Sequence, residues 1–162
     1  EVAPRDRLLM PLLQRLTDLE PDRKQESRQD HVWIPSKMRR AILDDLRALL
    51  NTTCHLSEKQ IADYPEVAAS VVNYGLPDLC GLTASGVSSQ RIEKMIQTAI
   101  KRFEPRVLSG SLQVRAQNTD GAMDETIVLE IKGEVFSVPM PDALFIKTQL
   151  DLETGSYELK ES

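Results

Sequence analysis

Residues 92–116, IEKMIQTAIKRFEPRVLSGSLQVRA, change their hydrophobic period at the centre. Ile92, Met95, Ile96, Ala99, Ile100 and Phe103 recur at three- and four-residue steps, one stripe of an amphipathic helix. From Leu112 the period is two: Leu112, Val114 and Ala116 alternate with Ser111, Gln113 and Arg115, as on a half-buried strand. Ser88 or Ser89 supplies the N-cap. Pro105 ends the helix, because proline disfavours the helical conformation for the residue before it, Glu104. The joint therefore holds an acid and a base, Glu104 and Arg106, on either side of one proline, bracketed by the apolar Phe103 and Val107.

Outward from this joint the two periods segregate. N-terminal to it, WIPSKMRRAILDDLRALLN predicts a helix ending near Asn51, capped by Ser36, with Met38, Ile42, Leu46, Leu49 and Leu50 on its apolar face. PEVAASVVNYG predicts a short helix stopped by Gly75, where glycine adopts the left-handed cap conformation. LPDLCGLTASG reads as loop. C-terminal to the joint, Ile127, Leu129 and Ile131 alternate with Val128, Glu130 and Lys132, and Ile146, Thr148, Leu150 and Leu152 alternate with Phe145, Lys147, Gln149 and Asp151. After Gly133 the apolar parity reads as slipping to Phe136 and Val138, which predicts a bulge or bend at Gly133 and Glu134. The ETGS turn predicts a short last strand around Tyr157. Helices followed by an antiparallel meander give a two-layer α+β fold, with the helices on one face of a small sheet.

The first 31 residues are of another kind. RDRLLMPLLQRLTDLE forms a short leucine-rich amphipathic arm interrupted by Pro11, and EPDRKQESRQDH, residues 20–31, is a polar linker with nothing to bury. Residues 32–162 form the single folded domain.

Composition narrows the function. The chain has 162 residues, an apolar fraction of 41% sufficient for one core, and a formal net charge of −5. That balance excludes a nucleic-acid binder working through general electrostatics and a polybasic membrane-surface protein. No apolar run approaches the ~18 residues that span a bilayer, so no direct membrane insertion is expected. Charge is uneven: residues 1–50 carry ten Lys/Arg against nine Asp/Glu, whereas residues 119–162 carry three against ten. A partner docking on the acidic C-terminal quarter is expected to offer basic groups.

Chemistry is sparsely provided. Cys54 and Cys80 are two thiols without ligand spacing, His31 and His55 are isolated from any HxxxH pattern, and there is no GxSxG turn and no glycine-rich phosphate loop, so neither metal nor cofactor is expected. A hydrolase would need two carboxylates, with Glu104 as acid and Asp78, Asp120 or Asp124 as partner. Arg106 beside Glu104 favours the ionised carboxylate, the wrong state for an acid. Presentation of a rigid polar pair to a partner fits the joint better than catalysis, because Arg makes bidentate bonds when held in place. In VNYGLPDLCG, residues 72–81, Tyr74, Gly75, Leu76, Pro77 and Asp78 form either a docking loop or a cap on the core.

The succession RLTDLEPD, MRRAILDDLRALLNT, YPEVAASVVNYGLPDL, IQTAIKRFEPRVLSGSLQV and DLETG resembles the TssE family of type VI secretion baseplate subunits, related to a wedge protein of contractile phage tails. NYGLPDL and RFEPR are its most specific parts, and RLTDLEPD points to the secretion branch rather than the phage one. The resemblance implies a non-enzymatic role in a cytoplasmic baseplate docked at an inner-membrane complex, in a wedge with TssF, TssG and TssK. It further implies that Glu104, Pro105 and Arg106 contact a helical bundle of wedge partners, joined on the specificity of its motif by Tyr74 to Asp78. The sheet is expected to start the sheath of TssB and TssC by strand addition along residues 125–138 and 145–159. A peptidoglycan hydrolase and a phage tail baseplate protein are the alternatives.

Overall fold

In the computed structural model the described residues are 16, 35–78, 88–118, 126–136 and 142–161. Apart from the exposed Leu16, the arm and linker expected over residues 1–31 lie outside them. The chain divides into two compact units, Glu1–Ala41 and Ile42–Ser162, with the boundary inside the first helix. In the first unit the described residues are Leu16 and the opening turns of that helix, where Met38 and Ala41 are buried.

Helix α1 spans Pro35–Leu50. Pro35 is its first residue, which places Ser36 inside the helix rather than at the cap; a proline at the first position has no amide to leave unpaired and its φ is already helical. Two one-turn helices follow, α2 (Glu58–Ile61) and α3 (Pro65–Ala68), then a 3-10 turn at Val71–Asn73. The single short helix expected across this segment is thus broken at Ala69 and Ser70, and α2 has no counterpart in the sequence reading. Helix α4 spans Ser89–Phe103, with Ser88 Oγ accepting from the Arg91 amide. Glu104 is its C-cap, its amide still bonded to Ile100 O.

Four strands complete the chain: β1 (Gln113–Asn118), β2 (Thr126–Val135), β3 (Asp142–Asp151) and β4 (Tyr157–Glu161). They pair in sequence order, each antiparallel to the next. The second unit's core forms where Ile42, Leu46 and Leu49 of α1 and Ile92, Ile96 and Ile100 of α4 are buried together with Ile127, Leu129, Ile131, Ile146 and Leu150 of the sheet. Burial of aliphatic side chains on one sheet face, at about 1.5–3 kcal/mol each, is what drives this layering.

The bulge expected at Gly133 does not form. β2 keeps its register through Gly133↔Leu144 and Val135↔Asp142, Val135 is buried, and Phe136 is 53% exposed. The core face of β2 lacks a side chain at Gly133 because Val107 fills the space, its Cγ1 only 3.4 Å from where a Cβ would stand. A gap in the local pattern is closed by a residue from the helix–strand joint, which no window of local sequence can display.

Gly75 has φ +116, and a Cβ there would lie 2.2 Å from Thr52 O. Leu76 N donates to Thr52 O (2.8 Å) and Leu76 O accepts from Cys54 N (2.9 Å), so the chain passes tightly against the residues after α1. Replacement Gly75→Ala is expected to cost about 3 kcal/mol or more, from positive-φ strain and the clash together. It should appear in urea unfolding as a lower midpoint at unchanged slope; an unchanged midpoint would show that this close approach is not needed for stability.

Candidate interaction site

At the joint, the turn is built by the backbone first. Val107 N donates to Glu104 O (3.2 Å) around Pro105, a β-turn whose second position suits the fixed φ of proline. The next residues are stitched to the far end of β2: Leu108 N donates to Glu134 O (2.8 Å), Phe136 N donates to Arg106 O (2.9 Å), and Val107 pairs opposite Val135. The joint is thus a short extra run of sheet, displaced from β1 by the turn around residues 109–111.

The side chains then face each other. Glu104 is 3% exposed, and both of its oxygens accept from Arg106: Nε donates to Oε1 at 2.6 Å, and Nη2 to Oε2. The Arg106 amide adds a third bond to Oε1 (3.2 Å). Nη2 also donates to Asp45 Oδ2 on α1. Burial alone would push the guanidinium down, but bonding and charge from Glu104, then from Asp45, outweigh it and hold Arg106 above its ordinary value. Asp45 lies 61 residues away in sequence, on the polar side of α1, and no local signal marked it.

Tyr74 of the second sequence motif reaches the same place. Tyr74 packs edge-on against Phe103, ring centres 5.2 Å apart, and burial followed by the Asp45 and Glu104 charges pushes its phenol up. Gly75 and Leu76 are buried; Pro77 and Asp78 are exposed. Within Tyr74–Asp78, then, the first three residues cap the core and the last two face outward. The carboxylate of Glu104 is directed into the fold, not displayed; the outward parts of the joint are Pro105, Arg106 at 23% side-chain exposure and Asp45 at 44%. With both oxygens engaged by Arg106, Glu104 presents neither to a substrate. Asp120 and Asp124 lie outside the described residues, and among those described no three His, Cys, Asp or Glu side chains gather to hold a metal.

The sheet edges carry the rest of the site. β2 and β3 are paired on both sides, so the strand-addition segments expected over residues 125–138 and 145–159 are mostly interior. Glu130 lies on the sheet's outer face, ion-paired to Lys132 (3.2 Å) and Lys147 (3.8 Å). Among the described strands the edges are β1 and β4. Along β1, Glu93 Oε1 accepts from Ala116 N (2.8 Å) and Gln97 Nε2 donates to Leu112 O (2.9 Å), so α4 side chains occupy that edge. At the start of β4, Asn51 Oδ1 accepts from Tyr157 N (2.9 Å) and Asn51 Nδ2 donates to Tyr157 O (3.0 Å).

The buried pair makes a measurable claim. Arg106→Ala leaves the Glu104 carboxylate buried without its partner and is expected to cost about 3–5 kcal/mol. Removing both in Glu104→Ala/Arg106→Ala should cost less than the sum of the single changes, with a coupling of about 1–3 kcal/mol in a urea double-mutant cycle. Strict additivity would show that the two groups do not act as a unit.

A sequence model of the family described as baseplate wedge protein gp25 matches residues 36–140. Among solved structures, a chain of the structure titled "The baseplate complex from the type VI secretion system" is similar, with 18% identity and a TM-score of 0.43, covering 70% of this chain and 94% of that one. No curated protein matches. The family match runs from the start of α1 past the end of β2, more than half of the chain, and takes in the Glu104–Arg106 joint and the Tyr74–Asp78 loop. The chain belongs to the baseplate wedge gp25 family.

Proposed function

We propose that this wedge-family protein is a structural, non-enzymatic subunit of a type VI secretion baseplate, held in its wedge through the Glu104–Pro105–Arg106 joint and initiating the contractile sheath by strand addition. The observation that carries the reading is the joint itself. A buried bidentate ion pair stiffens the turn, Pro105 stands exposed, and Arg106 Nη1 is buried with no acceptor among the described residues. A neighbouring subunit docking over Pro105, the exposed part of Arg106 and Asp45 would meet this rigid polar surface without having to order it. TssF, TssG and TssK are the wedge partners this reading assigns, on the RFEPR and NYGLPDL motifs. RLTDLEPD, residues 15–22, supports the secretion branch over a phage tail.

The sheath half of the reading rests on β4. Its outer edge is the one that α4 does not occupy, and the segment around it is acidic, with Glu153 and Glu158 exposed. Sheath subunits TssB and TssC are the assigned occupants. The site of action is cytoplasmic, at a baseplate docked on an inner-membrane complex; among the described residues no helix is long and apolar enough to cross a membrane.

Pro105→Ala and Arg106→Lys keep the fold in circular dichroism and lose co-purification with TssF and TssG by about tenfold or more, as expected when a preorganised, bidentate contact is loosened. Unchanged recovery with both folded variants would remove the joint from the interface. Purified protein is expected to leave peptidoglycan intact in a zymogram; a lytic band abolished by Glu104→Gln would overturn the non-enzymatic reading.

A further inference from the structure

The free chain already carries a one-residue imitation of a fifth strand. Ser156 O accepts from Asp151 N (3.0 Å), so Ser156 faces β3, and by the alternation of an antiparallel ladder Tyr157, Leu159 and Glu161 turn their N–H and C=O groups away from it. At Tyr157 both outward groups are taken by the Asn51 amide, in the two-bond exchange that a residue of a neighbouring strand would make. The amide cannot swing aside cheaply, because Nδ2 also donates to Arg47 O (2.9 Å) at the end of α1. Its three bonds use one acceptor and both donors. At Leu159 and Glu161 no hydrogen bond to an outward backbone group is present among the described residues. Leu159 is half-buried on the core side and Glu158 is exposed on the other.

We propose that Asn51 is a register stop: it closes the β4 edge at Tyr157, so an added strand pairs only from Leu159 onward and in a single register. This rests on the sheath reading above and commits to a TssB or TssC strand as occupant. The edge selects an extended segment with an apolar side chain opposite Leu159 and a basic one beside Glu158, since charge complements the acidic rim. A fixed stop matters because a slip of one residue would exchange the two faces of the incoming strand and bury its charges.

Residue-resolved amide exchange on the full chain, alone and in complex with co-expressed TssB and TssC, tests the stop. In the wild-type chain alone the Tyr157 amide is protected while those of Leu159 and Glu161 exchange freely; on sheath binding the latter two gain about tenfold protection or more and Tyr157 does not change. In Asn51→Ala the Tyr157 amide exchanges freely in the isolated chain and gains protection in the complex, the strand having advanced. Asn51→Asp keeps the acceptor for Tyr157 N and loses the donors; it is the second variant if the alanine does not fold, and is expected to leave intermediate protection. Further protection of wild-type Tyr157 on binding would show that the partner displaces Asn51 and would overturn the stop, as would full protection of Tyr157 in the isolated Asn51→Ala chain. Binding without protection at Leu159 overturns the β4 edge and the stop with it, and leaves only sheath binding by another surface. No binding of TssB and TssC by the wild-type chain overturns the occupant and the sheath reading together.

Discussion

The buried ion pair between Glu104 and Arg106 is the constraint on which the second unit turns. It sits where the helical half of the chain becomes the sheet half, and its arginine reaches across to Asp45 on α1. A carboxylate at 3% exposure is tolerable only with its charge met and its lone pairs filled, so the joint can adopt few other conformations without losing several kcal/mol. The rigid turn that results aims Val107 over Gly133 and zips Arg106–Leu108 to the end of β2. One electrostatic contact thereby sets where α4 meets the sheet.

The same economy of long-range polar contacts governs the edges. Glu93 and Gln97 of α4 and Asn51 at the end of α1 each place a side chain where a neighbouring strand's backbone would be. An unpaired strand edge invites indiscriminate association, and side-chain mimicry blunts it without covering it. On β1 the helix does this along the strand; on β4 it is done at one end. Among the described strands this leaves β4 as the edge whose outward backbone groups are met by a side chain only at Tyr157.

Much of the architecture was legible locally. α4 with its Ser88 cap and Glu104 stop, the alternation of β2 and β3 and the return of the chain at Tyr157 all follow from short-range periodicity, which the core then uses directly. Three features were not. Ser36 falls inside the helix because Pro35 takes its first position, an ambiguity between adjacent residues that both suit a helix start. The helical stretch before Gly75 broke into short turns because Asn73 is drawn into the core, its Oδ1 accepting from Leu56 N (3.3 Å). Gly133 looked like a bulge because its missing side chain is supplied by Val107, from across the joint.

The sequence by itself determined the two periods, the place where one gives way to the other, and the family to which the RFEPR and NYGLPDL motifs belong. Those are properties of neighbouring residues, and the hydrophobic effect reads them window by window. Only the tertiary structure decided that Glu104 turns inward to Arg106, that Asp45 completes the cluster, and that Asn51 takes both outward backbone groups of Tyr157. A polar side chain's role is set by which donor or acceptor comes within about 3 Å of it, and for these residues that partner is supplied by the fold, up to 106 positions away along the chain.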